Sequence, residues 1–365
     1  MYILFLFESS VGADVRVLTV KEYAILKGAS FEEIKIPSAQ SLVEKYGARF
    51  SSSFSHGSLT VARLKNVRFY KSHGLVVTEE GWILRDTMLD EHSNTMAEKV
   101  SKGAFELGGK CASVISEPAA VIGGQQNFYH WLFNWLSKFT ALTGSGYWPE
   151  VKSLVLNGPI ERFQWETLFK LGVSGGKNCH FVQSNEPVLI EDAIVPTLFS
   201  NPIHSLGHVN WLKNLLSTDE KVFGVGERVY ISRKDAIKGN RQILNEDALI
   251  SLLEKYDFSI VRLGDLTLKQ QASVFKFARF VVAPHGAGLA NVIHAQPGAC
   301  FLEMQAKDAY TQVFWSLGLL SNAERYDILA CESSGDFIPY QKHIEIDLVR
   351  LEQVIVEKWG LVARS

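Results

Sequence analysis

Phe280-Val281-Val282-Ala283-Pro284-His285-Gly286-Ala287-Gly288-Leu289 is the stretch that decides how this chain folds. Four apolar residues predict a buried strand, and the small residues after Pro284 predict a tight turn into a helix. In a parallel sheet such a turn leaves backbone N–H groups unpaired at the sheet's carboxyl edge. Gly286 and Gly288 let the backbone approach a ligand closely and adopt positive φ where needed. His285, Gly286, Ala287, Gly288 and Leu289 are therefore a candidate anion seat suited to a diphosphate, with His285 as a further donor. A turn of small residues built only for packing has the same string, and both readings stay open.

The surroundings repeat the strand–helix alternation. Val229-Tyr230-Ile231-Ser232 reads as a strand. Asn245 then caps a helix with Glu246 and Asp247 in its first turn, where acids suit the dipole. The apolar face of that helix is Leu249, Leu252, Leu253 and Tyr256. A strand follows over 259–263, and Thr267-Leu268-Lys269-Gln270 is a capping box opening a helix that runs to Ala278. Beyond Pro297-Gly298 comes the strand Cys300-Phe301-Leu302-Glu303. Four strands alternating with three helices predict a Rossmann-like half, interrupted by the polar stretch 234–242.

If those strands are parallel, Arg233 and Lys234 emerge on the same edge as the glycine turn, with Arg241 on the same loop. Arginine grips phosphate bidentately, and lysine acts as a point charge. Glu303 ends its strand where a carboxylate can take both hydroxyls of a ribose. A solvated basic loop and a capping acid are the plain alternatives.

Residues 1–105 read as strands and irregular structure. A partly alternating stretch over 61–70 precedes an expected hairpin, Gly74-Leu75-Val76-Val77-Thr78, Glu79-Glu80-Gly81, Trp82-Ile83-Leu84. A first strand is expected over 1–7, because that run lacks the basic start of a signal peptide. Residues 106–220 mix both periods: strands over 119–122 and 153–156, an amphipathic helix over 161–171, and short strands over 188–190 and 193–195. A helix-like stretch over 127–142 contains Asn127-Phe128-Tyr129-His130-Trp131-Leu132-Phe133-Asn134. Asn127, His130 and Asn134 lie three and four apart, hence on one helical face. A histidine there can serve as general base or position an acceptor hydroxyl, and a satisfied core histidine fits the pattern too. One Rossmann-like domain is expected over 106–220 and a second, C-terminal one over 221–335, followed by a tail, 336–365, with a helix over 344–361.

Composition excludes several classes. The 365 residues are 47% hydrophobic, with 37 lysines and arginines against 39 acids. A net charge of -2 gives no bulk attraction to nucleic acid, so an anionic ligand must be held locally. Cys111, Cys179, Cys300 and Cys331 have no paired spacing, which argues against a disulfide framework or zinc knuckle and for a reducing cytoplasm. No run approaches the roughly 18 apolar residues of a membrane helix. Gly172-Val173-Ser174-Gly175-Gly176 fits a hydrolase string, but a helix precedes the serine where that motif needs a strand. Gly224-Val225-Gly226 precedes a strand instead of following one. The sequence has no P-loop, no H-E-x-x-H and no D-x-D carboxylate pair, so nothing in it calls for a metal or a cofactor.

Tyr230-Ile231-Ser232-Arg233-Lys234, Arg241, Asn245-Glu246, Ala278, the turn from Pro284 to Leu289, Asn291, Pro297-Gly298 and Glu303 together resemble the glycosyltransferase 61 family. Asn127-Phe128-Tyr129-His130-Trp131-Leu132 is similar to that family's N-terminal motif, and the likeness spans about residues 60 to 305. The resemblance implies an α/β protein of GT-B type: two Rossmann-like domains facing across a cleft, with a β-rich N-terminal segment and a C-terminal helix. It implies an inverting, metal-independent hexosyl- or pentosyltransferase that uses a nucleotide sugar, usually a UDP-sugar. The acceptor would be an oligosaccharide or polysaccharide in capsule, lipopolysaccharide or other surface polysaccharide assembly. Such an enzyme is cytoplasmic, with peripheral contact at the inner membrane face or with an assembly complex left open. Arg233 and the 285–289 turn would hold the diphosphate, with Lys234 and Arg241 near it. Glu303 would hold the ribose, and Asn127, His130 and Asn134 would face the transferred sugar and acceptor. Where many relatives have an acid, this chain has Asn134. An amide takes no proton, so the base falls to His130 or to an acid elsewhere. A polysaccharide pyruvyltransferase-like enzyme and a catalytically inactive GT-B scaffold are the competing readings.

Overall fold

The computed structural model describes residues 16–35, 58–101, 107–173, 177–199, 205–234, 241–321 and 323–364. The strand expected over 1–7 and most of the polar stretch 234–242 lie outside these residues. The chain divides into two compact units, Met1–Leu212 and Lys213–Ser365.

The strands of the first unit are Val17–Leu18 (β1), Phe31–Lys35 (β2), Ser58–Tyr70 (β3), Leu75–Val77 (β4), Ile83–Leu84 (β5), Ser113–Ile115 (β6), Ala119–Gly123 (β7), Ser153–Asn157 (β8), Asn178–Val182 (β9) and Val188–Pro196 (β10). Among the described residues they form one ten-stranded sheet in the order β1-β5-β4-β3-β10-β7-β8-β9, with β2 on β3 and β6 on β10. The parallel part expected from the βα alternation is present: β7 pairs with β8, β8 with β9, and β10 with both β6 and β7. It does not stand alone. β3 and β10 pair antiparallel from Val188 opposite Phe69 to Pro196 opposite Val61, so the N-terminal strands extend the same sheet. The expected hairpin forms between β4 and β5, with the Thr78 amide donating to the Trp82 carbonyl at 2.9 Å. Along β3, Ala62, Leu64, Val67 and Phe69 are buried against Val121, Val155 and Ile190, and Leu59 and Val61 before them are buried as well.

The second unit has Arg228–Ser232 (β11), Ser259–Arg262 (β12), Phe280–Pro284 (β13), Cys300–Ala306 (β14), Arg325–Ser334 (β15) and His343–Glu345 (β16). Their order is β12-β11-β13-β14-β15-β16. Every pair from β12 to β15 is parallel, and β16 closes the edge antiparallel. Chain order reverses between β11 and β13, which is where open α/β sheets open a crevice at their carboxyl edge. The helix Leu268–Phe277 begins with the expected box: Thr267 Oγ1 accepts from the Gln270 amide, and Gln270 Oε1 from the Thr267 amide.

Two elements differ from expectation. Ile344 belongs to β16, and the helix of the tail begins only at Leu348, running as Leu348–Gln353 into the π-helical turn Val354–Lys358. The open edge of β15 takes up the tail's first residues by backbone pairing. Ile344, Ile346, Leu351, Ile355 and Trp359 then join Leu249, Leu253, Val282 and Leu302 in the core. Asn245 precedes the helix Glu246–Glu254 but makes no side-chain cap. Its amide instead clamps the tail, donating to the Ile346 carbonyl at 2.8 Å and accepting from the Ile346 amide at 3.0 Å. No described helix is long and apolar enough to cross a membrane.

Candidate functional site

The carboxyl edge of the second sheet brings Arg233, at the end of β11, to the turn after β13. Arg233 Nη1 donates to the His285 carbonyl at 3.0 Å. Gly286 is held in extended backbone, φ 168° and ψ 166°, so positive φ is not what it supplies. What it supplies is room for a neighbour: a Cβ there would collide with Arg233 Nη1, and one on Gly288 would lie 2.6 Å from Leu263 Cδ1, each the far end of a side chain. The segment Ala287–His294 is a 3-10 helix. The His285 amide is spent on the Met304 carbonyl and the Leu289 amide on the Gly286 carbonyl, at 2.8 and 2.9 Å. The N–H groups that head the helix without an acceptor inside it are those of Gly286, Ala287 and Gly288, a narrower candidate for an anion seat than the five residues of the motif.

His285 is fixed from below. Its Nδ1 lies 2.5 Å from Glu303 Oε1, and Tyr326 donates its hydroxyl to Glu303 Oε2 at 2.8 Å. Burial, with the adjacent carboxylate, pushes the Tyr326 hydroxyl well above its ordinary value, so it remains a donor. Glu303 is 1% exposed. Both its oxygens are engaged inside the protein, so it presents no open carboxylate to a ribose in this structure and acts on the site through His285. With Nδ1 held by an acceptor, Nε2 is the ring nitrogen that Glu303 leaves unengaged.

The other basic residues separate. Lys234 Nζ pairs with Asp247 at 2.6 Å, both largely exposed, an arrangement of small energetic weight. A cleft of about 320 Å³ beside Arg233 and Lys234 is lined by Gln242, Ile243, Leu244 and Asn245 and by the start of the following helix. Arg241, with φ 55°, lines a different and smaller hollow with His285, Met304 and Lys342. Glu246 takes no part in phosphate contact: it is buried, accepting from Tyr230 at 2.9 Å and from Ser232 at 2.7 Å.

In the first unit, the segment that follows Gly123 begins with Asn127 as N-cap, its Oδ1 accepting from the His130 amide at 3.2 Å. Asn127 therefore caps the helix instead of sharing its face. The chain continues as the short helix Phe128–His130, a π-helical stretch Trp131–Trp135 and the helix Ser137–Gly144. Asn134 is buried, and its Nδ2 donates to the Phe199 carbonyl at 2.6 Å. A carbonyl only accepts, so the amide's orientation is set, and its Oδ1 faces His130 Nδ1 at 2.9 Å. Nδ1 must then carry the proton, and in the neutral ring Nε2 carries the lone pair. The amide at 134 thus does what a carboxylate does for a catalytic histidine, fixing tautomer and ring direction, without carrying charge.

Tyr326 and the Phe199 carbonyl were not foreseeable. Each acts across more than twenty residues of chain, and no local pattern marks a buried hydroxyl or a main-chain acceptor. Gly172 ends the helix Arg162–Lys170 with φ 72°, as a helix exit should, and residues 174–176 of that string lie outside the described ones. Among the described residues no three His, Cys, Asp or Glu side chains converge.

Residues 128–302, from the helix bearing His130 to the strand bearing Glu303, match the model of the family described as Glycosyltransferase 61. No curated protein matches the chain.

Proposed function

The chain belongs to the glycosyltransferase 61 family, and on that premise we propose that it moves a sugar from a nucleoside diphosphate, UDP by preference, to a glycan hydroxyl with inversion. The observation that carries this reading is the convergence of Arg233, the Gly286–Gly288 amides and the carboxylate-held His285 at the switch point of the second sheet. The second unit takes the donor and the first the acceptor, the division of labour of a GT-B enzyme. His130 Nε2 removes the acceptor hydroxyl proton, and the acceptor oxygen forms a bond to the anomeric carbon. The bond from that carbon to the diphosphate breaks, and its electron pair leaves with the nucleotide. Arg233 and the helix-heading amides stabilise the charge that develops on the leaving oxygens. His285 adds a donor from Nε2 when the ring is protonated, its charge balanced by Glu303. In this reading these groups carry the leaving-group stabilisation. Surface polysaccharide assembly is the setting in which such a transferase fits.

The test is Arg233→Ala. Transfer from UDP-sugars should fall by about 10²–10³ in kcat, the cost of removing one charge-stabilising donor, with the unfolding midpoint nearly unchanged. An unaltered rate would overturn the assignment of the leaving-group site. No thermal stabilisation of the wild-type protein by any nucleotide would instead favour a scaffold.

A further inference from the structure

The parallel part of the first sheet has a carboxyl edge of its own, and a cleft of about 220 Å³ opens there. It lies over the turns that follow β7 and β8 and is lined by Lys71, Gly124, Gln125, Gln126, Asn157 and Gln164, with Gly158 and Pro159. The crevice outside the carboxyl ends of parallel strands is where open α/β sheets hold ligands. The turn after β7 leads directly into the Asn127 cap and His130.

The lining has an unusual chemistry. Four of its side chains are carboxamides, one is an ammonium, and none is a carboxylate or a large apolar group. An anionic ligand would call for several cations, and an apolar one for aliphatic or aromatic walls. Amides offer donors and acceptors side by side, which suits a ligand whose groups both donate and accept, namely neutral hydroxyls. Part of the amide capacity is already used: Asn157 Nδ2 donates to the Gly124 carbonyl at 2.8 Å and to the Lys71 carbonyl at 3.2 Å. Gln126 Nε2 donates to the Pro159 carbonyl at 3.1 Å. Gln164 is committed to the Glu161 amide at 2.8 Å. The acceptor side is different. Gln125 Oε1 and Asn157 Oδ1 are both buried and accept no hydrogen bond from the protein. Buried polar atoms are rarely left so, and both belong to residues that line the cleft.

We infer that this amide-lined cleft is the acceptor subsite and that it takes one neutral sugar ring through its hydroxyls, next to the turn that presents His130. The inference rests on the glycosyl-transfer reading for its place in the reaction, and on the cleft's own chemistry for its ligand class. Gln164 and Asn157 shape the wall while Gln125 and Gln126 meet the sugar from the loop, with Lys71 at the rim.

Saturation-transfer NMR and titration with a panel of methyl pentosides, hexosides and N-acetylhexosaminides test it on the full chain, with UDP binding measured by calorimetry in parallel. At least one glycoside should bind the wild type. Its affinity should fall at least tenfold in Gln125→Ala and in Gln126→Ala, while UDP affinity stays within twofold. Asn157→Ala should show the same loss, but its amide also ties two backbone segments, so the two glutamine variants decide. No glycoside binding to the wild type, or binding unchanged in both glutamine variants, overturns the subsite. Glycoside binding lost in the variants with no UDP binding by any form would leave the subsite standing and remove the donor reading.

Discussion

The two units assemble their candidate site groups by opposite means. In the second, Arg233 and His285–Gly286 follow two paired parallel strands at one edge. Glu303 lies inside the next strand instead of ending it, and meets His285 from below because register sets it opposite Ala283. In the first, His130 and Asn134 sit four residues apart on one helical segment, and a single main-chain carbonyl completes their relay. A site made by register depends on close backbone approach and fails when atoms are added. A site made by a side-chain relay fails when atoms are removed.

The largest expected effect breaks the relay at its end. His130→Ala should lower kcat by about 10²–10⁴, the range of a lost general base, while UDP affinity is retained. Equal losses of donor binding and of rate would show that His130 belongs to the fold instead. Next comes the added atom. Gly286→Ala sets a methyl carbon against Arg233 Nη1, and moving that guanidinium should cost about 10² in kcat/KM. The double variant Gly286→Ala/Arg233→Ala should be no slower than Arg233→Ala alone, because both changes act through one group. A further large drop in the double variant would separate the glycine from the arginine.

A smaller loss sharpens the orienting role. Asn134→Ala should reduce kcat by about tenfold to a hundredfold and leave KM for the donor unchanged, since the ring remains but its tautomer and direction are no longer fixed. The acidic limb of the pH–rate profile should shift with it, which loss of packing alone would not produce.

The smallest effects concern stability against pH, where the units also differ. Lys138 of the first unit is wholly buried, its ammonium donating to the Ile122 carbonyl at 2.9 Å, and burial brings its pKa down from 10.5 to about 7. Between pH 7 and 10.5 the unfolded chain holds a proton that the folded one does not, so stability rises with pH across that window. His294 of the second unit is buried and pulled from 6.5 to about 3 by desolvation. His208 of the first unit is brought to about 4 for the same reason. For both histidines the unfolded state takes up the proton first, so stability falls as pH drops from 6.5 toward those values. Each group contributes at most about 1.4 kcal/mol per pH unit. Urea unfolding followed by hydrogen exchange in each unit should show the alkaline gain in the first unit vanish in Lys138→Met. A gain that survives the substitution would assign it to another group.

The second unit is legible in the sequence because its strands are buried runs, and the Thr267 box and the β13 turn are local signals. It is less legible where a distant partner competes for a group. Asn245 has the residue type of an N-cap, yet its amide is drawn to Ile346, a hundred residues away in sequence. The tail has helical periodicity from Ile344, yet the unpaired edge of β15 claims its first residues as a strand. Backbone groups that can pair in a buried sheet do so before a short helix can form.

The sequence by itself determined the parallel frame, the glycine turn, Arg233 at its edge and the histidine at helical spacing from Asn134, because strand burial, capping and helix periodicity are encoded within a few residues. Only the tertiary structure decided that Glu303 holds His285 instead of facing a ligand, that Asn134 fixes a tautomer, and that carboxamides from separate turns share one cleft. Those outcomes depend on which donor meets which acceptor across the chain, and burial leaves each polar atom only the partners that folding brings within reach.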